Sequence, residues 1–212
     1  MKYSQSVAAL NSYISLTKLD SLVENGMKYI HIDFMDGIYV SNFGVTFDQA
    51  EFLINRYKNV HFDAHLMLNN PYIHIKKLID IGFKTIFIPA EKVNTEFYKI
   101  KNNYPHIDFG IMLQANDDPR NYKNIIINSQ KILLMTIDVI GGTEKKLSPK
   151  LLDKTKTIKN INSNIKIYSD GGLRKENAYL FSLHNIDVAI GGSIIYSFAD
   201  EKDFCNWWKD NF

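Results

Sequence analysis

The chain has a single cysteine, Cys205, in 212 residues. No intrachain disulfide is possible, and a reducing, cytoplasmic setting is expected. The position of Cys205 beside Trp207 and Trp208 reads as packing rather than chemistry. Charge of one sign is also lacking: 25 Lys and Arg against 23 Asp and Glu leave a net charge of +2. That is too small to argue for nucleic acid or an anionic membrane as a partner. No run approaches the roughly 20 apolar residues of a membrane span. The opening Met1-Lys2-Tyr3-Ser4-Gln5 leads into only a short apolar stretch, unlike a signal peptide. No linker, low-complexity tract or charge run divides the chain, so residues 1–212 are expected to form one domain.

Hydrophobic residues make up 45% of the chain and charged residues 23%, an ordinary globular balance. Apolar strand candidates recur at about 6–10, 29–34, 60–66, 85–88, 107–113, 132–136, 165–169 and 188–190. Helical patterns lie between them. One covers 16–25 and stops at Gly26. A second covers 46–57, with Thr46 as N-cap and Gln49 in the capping-box position. Pro71 opens a third, closed by Gly82. Further patterns cover 94–103, 119–129, 148–161 (Ser148 as cap, Pro149 first), 174–184 and 199–210. Strands alternating with helices predict a parallel sheet. With eight repeats, closure into a (β/α)8 barrel is the favoured arrangement, and an open doubly wound sheet is the alternative.

Three strand ends carry ligand-type residues. His31-Ile32-Asp33 ends the second, Asp63-Ala64-His65 the third, and Asp170 the seventh. Residues two apart on a strand share a face, so His31 and Asp33 point together. Alone, each is usually a satisfied polar residue or a helix cap. Together, His31, Asp33, His65 and Asp170 suit a divalent transition metal, with Zn²⁺ first and Mn²⁺, Fe²⁺ or Co²⁺ as alternatives. In a barrel, all four converge on the carboxyl-terminal face. Asp33 and Asp170 come from distant strands and could flank a substrate from opposite sides. One would remove a proton next to a carbonyl and the other return it on the opposite face, which is epimerisation by acid–base catalysis.

Glycine pairs follow three strands: Gly141-Gly142, Gly171-Gly172 and Gly191-Gly192, the last continued by Ser193. In barrels, the loops after the last two strands often bind phosphate through exposed backbone N–H groups. Gly141-Gly142 sits where a loop could close over a substrate, or is only a tight turn.

The sequence resembles the ribulose-phosphate 3-epimerases. The resemblance rests on His31 to Gly37 (His-x-Asp-x-Met-Asp-Gly), Asp63 to Met67 (Asp-x-His-Leu-Met), Asp170-Gly171-Gly172, and Gly192-Ser193. It spans nearly the whole chain in the right order. It implies a barrel, a metal on His31, Asp33, His65 and Asp170, and Asp33 with Asp170 as the acid–base pair. It also implies that Met35, Met67 and Met135 line the reacting centre, that Ser6 stands on the substrate side of the first strand, and that the chain self-associates. Alone, those methionines would be core filler.

Departures from the family pattern fall in the substrate-facing shell. A Ser-Ile-Leu-Ser run becomes Ser6-Val7-Ala8-Ala9, losing a hydroxyl at Ala9. A His-x-Glu becomes Pro89-Ala90-Glu91, and the loop after strand six is Asp138-Val139-Ile140-Gly141-Gly142-Thr143, without the usual Pro and Gln. The leading expectation is therefore a metal-dependent epimerase acting at C3 of a ketose phosphate, either D-ribulose 5-phosphate or a close relative such as a hexulose phosphate. A non-catalytic sugar-phosphate-binding barrel is the reading from another class. A Schiff-base aldolase would need a buried lysine at a strand end, and Lys166 is expected inside strand seven.

Overall fold

A computed structural model describes residues 1–10, 15–142 and 145–212, without the side chains of Ala9 and Ser15. Strands β1 (Lys2–Ser6), β2 (Tyr29–Met35), β3 (His61–Met67), β4 (Thr85–Pro89), β5 (Asp108–Leu113), β6 (Lys131–Met135), β7 (Lys166–Asp170) and β8 (Val188–Gly191) follow in chain order. Each pairs in parallel with the next, and β8 pairs with β1, closing a (β/α)8 barrel. The open-sheet alternative is thereby excluded.

Helices α1 (Ser15–Glu24), α2 (Phe47–Arg56), α3 (Tyr72–Ile81), α4 (Thr95–Asn103), α5 (Lys123–Ile127), α6 (Pro149–Leu152), α7 (Lys154–Ile161), α8 (Ala178–Leu183) and α9 (Glu201–Asn211) surround the strands. The Thr46 side chain and Gln49 form a reciprocal capping box at the start of α2. Gly82, at φ 119°, ends α3 in the left-handed conformation that a glycine adopts without steric cost.

Alternation along the strands divides the buried residues into two cores. Ile30, Ile32 and Phe34 face the helices and join the outer layer. The lumen is filled by Phe87, Met112, Leu133, Met135, Tyr168, Val188 and Ile190. Trp208 packs on Tyr3 at 5.1 Å, so α9 covers the barrel beside its first strand. Cys205 lies half-buried on that helix, in contact with Leu22 O.

Several sequence expectations are corrected. The first strand is Lys2–Ser6, and residues 7–9 form a 3₁₀ turn. Polar residues disguised this strand, yet Ser4, Gln5 and Ser6 are buried. The Tyr3 hydroxyl lies within donating distance of both Gln5 Oε1 and Gly191 O, and Gln5 Nε2 donates to Ser6 O. The 148–161 helix breaks at Asp153 into α6 and α7, and the Ser148 side chain makes no cap. Its N–H instead donates to Thr136 O, tying it to the end of β6. The helix expected from residue 174 begins at Ala178, because Asn177 accepts from Arg174 N–H and holds a turn there. The 119–129 helix is a 3₁₀ turn capped by Asp118, followed by the short α5. Lys166 opens β7 at its amino end and is exposed, far from the position a Schiff-base lysine needs.

Candidate metal and acid–base site

The register of β2 against β3 places lumen-facing residues opposite one another: His31 with Asp63, Asp33 with His65, and Met35 with Met67. Ser6 of β1 lies beside His31, and Asp170 of β7 beside Met135 of β6. Asp33 Oδ1 is 3.2 Å from His31 Nε2 and 3.1 Å from His65 Nδ1. Asp170 Oδ2 stands 3.9 Å from each of those nitrogens.

One ligand atom from each of the four residues lies within 4.8 Å of all the others. For metal–ligand bonds of about 2.0–2.1 Å, a tetrahedral site has ligand–ligand edges of about 3.3 Å. The observed edges bracket that value, so the donor set fits a divalent cation. Both imidazoles are fully buried. His65 Nε2 has no hydrogen-bond partner among the described residues, leaving Nδ1 as the ring's polar contact with the carboxylates.

Asp63 was missed as a site residue. Its carboxylate holds His31 Nδ1, which fixes the ring and turns Nε2 toward the cluster. The available signal was its place two residues before His65, on the same face of the strand.

The two acidic groups are driven apart. Burial would raise Asp33, but the charges and hydrogen bonds of His31 and His65 outweigh it and hold the carboxyl far below its ordinary range. Burial and the negative charge of Asp33 raise Asp170 to about 6. Burial would lower His31, but Asp63 and Asp33 lift it well above the ordinary imidazole value. Divergence of this kind separates the two roles, with Asp33 ionised as the proton acceptor and Asp170 the group that can hold a proton.

Above the cluster opens a cavity of about 890 Å³. Ser6, Met35, Met67, Met135, Gly141, Gly142, Gly171, Gly172, Gly192 and Ser193 all line it, together with Asp33 and Asp170. Ser6 Oγ donates to Asp33 Oδ2 at 3.1 Å, so in this structure the hydroxyl orients a carboxylate. At Gly172, φ is +76° and a Cβ would lie 2.5 Å from Leu147 Cα, so a side chain is excluded. Gly141 packs on Val40, and Asn42 Nδ2 donates to Gly141 O, joining the loops after β2 and β6 across the mouth. Thr143 and the Ala9 side chain lie outside the described residues. Glu91 accepts from Tyr39 Oη at 2.5 Å, and Gln114 donates to the same oxygen at 2.9 Å. Those residues brace the loops after β2, β4 and β5 and do not line the cavity.

The profile described as the Ribulose-phosphate 3 epimerase family matches residues 2–196. Among similar proteins is a ribulose-phosphate 3-epimerase of Helicobacter pylori, 26% identical over 95% of this chain and 94% of the relative. One from Bacillus subtilis is 24% identical over 87% of each. Among solved structures, a 3-hexulose-6-phosphate synthase from Salmonella typhimurium superposes with a TM-score of 0.73 at 15% identity, covering 97% of this chain and 95% of that one. A 3-keto-L-gulonate-6-phosphate decarboxylase from Vibrio cholerae gives 0.69 at 12% identity, covering 99% and 95%. At such identities the structural likeness speaks for the fold alone.

Proposed function

The chain belongs to the ribulose-phosphate 3-epimerase family, an isomerase family, and on that premise we propose that it inverts C3 of D-ribulose 5-phosphate to give D-xylulose 5-phosphate. One observation carries the reading: two carboxylates from distant strands, Asp33 and Asp170, reach one methionine-lined cavity with their acidities driven apart.

His31 Nε2, Asp33 Oδ1, His65 Nδ1 and Asp170 Oδ2 would hold a divalent cation, Zn²⁺ before Mn²⁺, Fe²⁺ or Co²⁺. When bound, it supplies Lewis-acid stabilisation of the negative charge that develops on the substrate oxygens. The remaining work falls to the chain. In one direction Asp33 takes the C3 proton and Asp170 delivers a proton to the opposite face, and the roles exchange in reverse. Ser6 keeps Asp33 aimed. Met67 and Met135, almost fully buried, keep water from the carbanionic carbon. The Gly171-Gly172 and Gly192-Ser193 turns receive the phosphate.

The same reading takes residues 1–212 as one barrel domain in a reducing cytoplasm. It includes self-association, for which the exposed Ile38 and Phe43 at the barrel mouth are suitable contacts. Among the described residues no helix is long and apolar enough to cross a membrane.

Solvent deuterium exchange tests the reaction. Incubation of the metal-loaded protein in D₂O with a panel of ketose phosphates should give deuterium at C3 and the epimer, with D-ribulose 5-phosphate the best substrate. A hexulose phosphate turning over faster would move the assignment to that sugar. No exchange with any of them would favour a binding protein.

A further inference from the structure

Two cations face the cavity near the glycine turns, and neither belongs to the acid–base set. Arg174 follows the Gly171-Gly172 turn, and Lys145 lies on the chain returning from β6. Both line the same cavity as Gly172, Gly192 and Ser193. Neither has a carboxylate partner among the described residues.

The local structure places Arg174 firmly. Asn177 accepts from Arg174 N–H at 2.8 Å and donates to Gly172 O at 2.9 Å, bracing the turn from both ends. The guanidinium uses Nη1 on Leu173 O, at 2.8 Å, which leaves its remaining donors free for an anion. Arg174 is half-buried, so a pair formed there is screened less than one at an open surface. Lys145 approaches from the other loop. A Cβ at Gly142 would meet Lys145 Cε at 3.3 Å, and two residues on, Leu147 packs on Gly172. The loop after β6 therefore brings its lysine to the same cavity that Arg174 lines.

Backbone donors are present as well. The N–H groups of Gly172, Leu173, Gly192 and Ser193 donate to no acceptor among the described residues. Neutral donors of this kind bind a phosphate of either charge, whereas a guanidinium and an ammonium favour the dianion.

We infer that Arg174 and Lys145 form a two-cation clamp on the substrate phosphate, with Arg174 as the main specificity-determining side chain. This rests on the sugar-phosphate reading above. The ligand class is a phosphate monoester dianion, and the clamp makes the unphosphorylated ketose a poor substrate.

Inorganic phosphate is the probe, since its binding can be followed by calorimetry without any turnover. Arg174→Met should weaken phosphate binding roughly 10- to 100-fold, and Lys145→Met should do so by a smaller factor. In the epimerisation assay the loss should fall mainly on KM for the ketose phosphate. Arg174→Lys should restore part of the affinity, because it keeps the charge and loses the fork. Phosphate affinity unchanged in both methionine variants, with melting curves like that of the parent, would overturn the clamp whatever the enzyme's activity. Arg174-dependent phosphate binding by a protein that exchanges no C3 hydrogen would support the clamp and remove the epimerase reading instead.

Discussion

Asp63 lies directly across the β2–β3 ladder from His31, and its carboxylate holds His31 Nδ1. The hydrogen bond selects the tautomer that offers Nε2 to Asp33 and Asp170. Removing it should leave the ring free to turn. Asp63→Ala is expected to lower divalent-metal affinity about 10- to 100-fold, read by competition with a chromophoric chelator. Unchanged affinity would show that packing alone positions His31.

Asp33 and Asp170 have separate parts in the proposed reaction. Either Asp→Asn change should cut turnover by about 10²- to 10⁴-fold, while phosphate binding largely survives. Exchange and epimer formation should also come apart. A variant keeping one working carboxylate should incorporate deuterium at C3 from one epimer faster than it makes the other.

Metal uptake should release protons. Without metal, Asp170 holds its proton up to about pH 6, and His31 is lifted well above the ordinary imidazole value. A cation must displace both. Apparent affinity should therefore rise with pH and steepen below 6, and calorimetry at pH 7 in buffers of different ionisation enthalpy should show proton release. Affinity independent of pH from 5 to 8 would contradict the proton load assigned to the site.

Gly172 carries the turn between Asp170 and the cavity wall. Gly172→Ala puts a methyl against the Leu147 backbone at a positive φ. The expected cost is about 1–3 kcal/mol, visible as a lower urea midpoint. Phosphate affinity should fall with it, since Leu147 must move.

Asp187 links the amino ends of β7 and β8, accepting from Ile167 N–H and pairing with Lys166 at 2.8 Å and Lys159 at 3.6 Å. Burial would raise its carboxyl, but these partners outweigh that and lower it. A lowered folded-state pKa stabilises the protein above the unfolded value of about 3.9 and stops doing so as pH falls through the folded value. Asp187→Asn should therefore melt below the parent at pH 7 and approach it at pH 3. A constant gap across that range would assign the effect to shape rather than charge.

Much of the site was legible because strand alternation is local. His31 and Asp33, or Asp63 and His65, share a face by spacing alone, and eight strand candidates between helical patterns favour closure over an open sheet. The sequence was silent where polar side chains are buried by distant partners. Lys2–Ser6 reads as a polar stretch until Gly191 and the β2 edge are beside it. Arg174 reads as the start of a helix until Asn177 is seen folding back on it.

By itself, then, the sequence determined the alternation of strands and helices, the four ligand-type residues and the glycine turns, since periodicity and backbone freedom belong to each short segment. Only the tertiary structure decided that the sheet closes, that Asp63 serves His31, that Ser6 serves Asp33, and that Lys145 and Arg174 line one cavity. Those relations join residues far apart in the chain. They depend on strand register and loop path, which are settled only when the barrel closes.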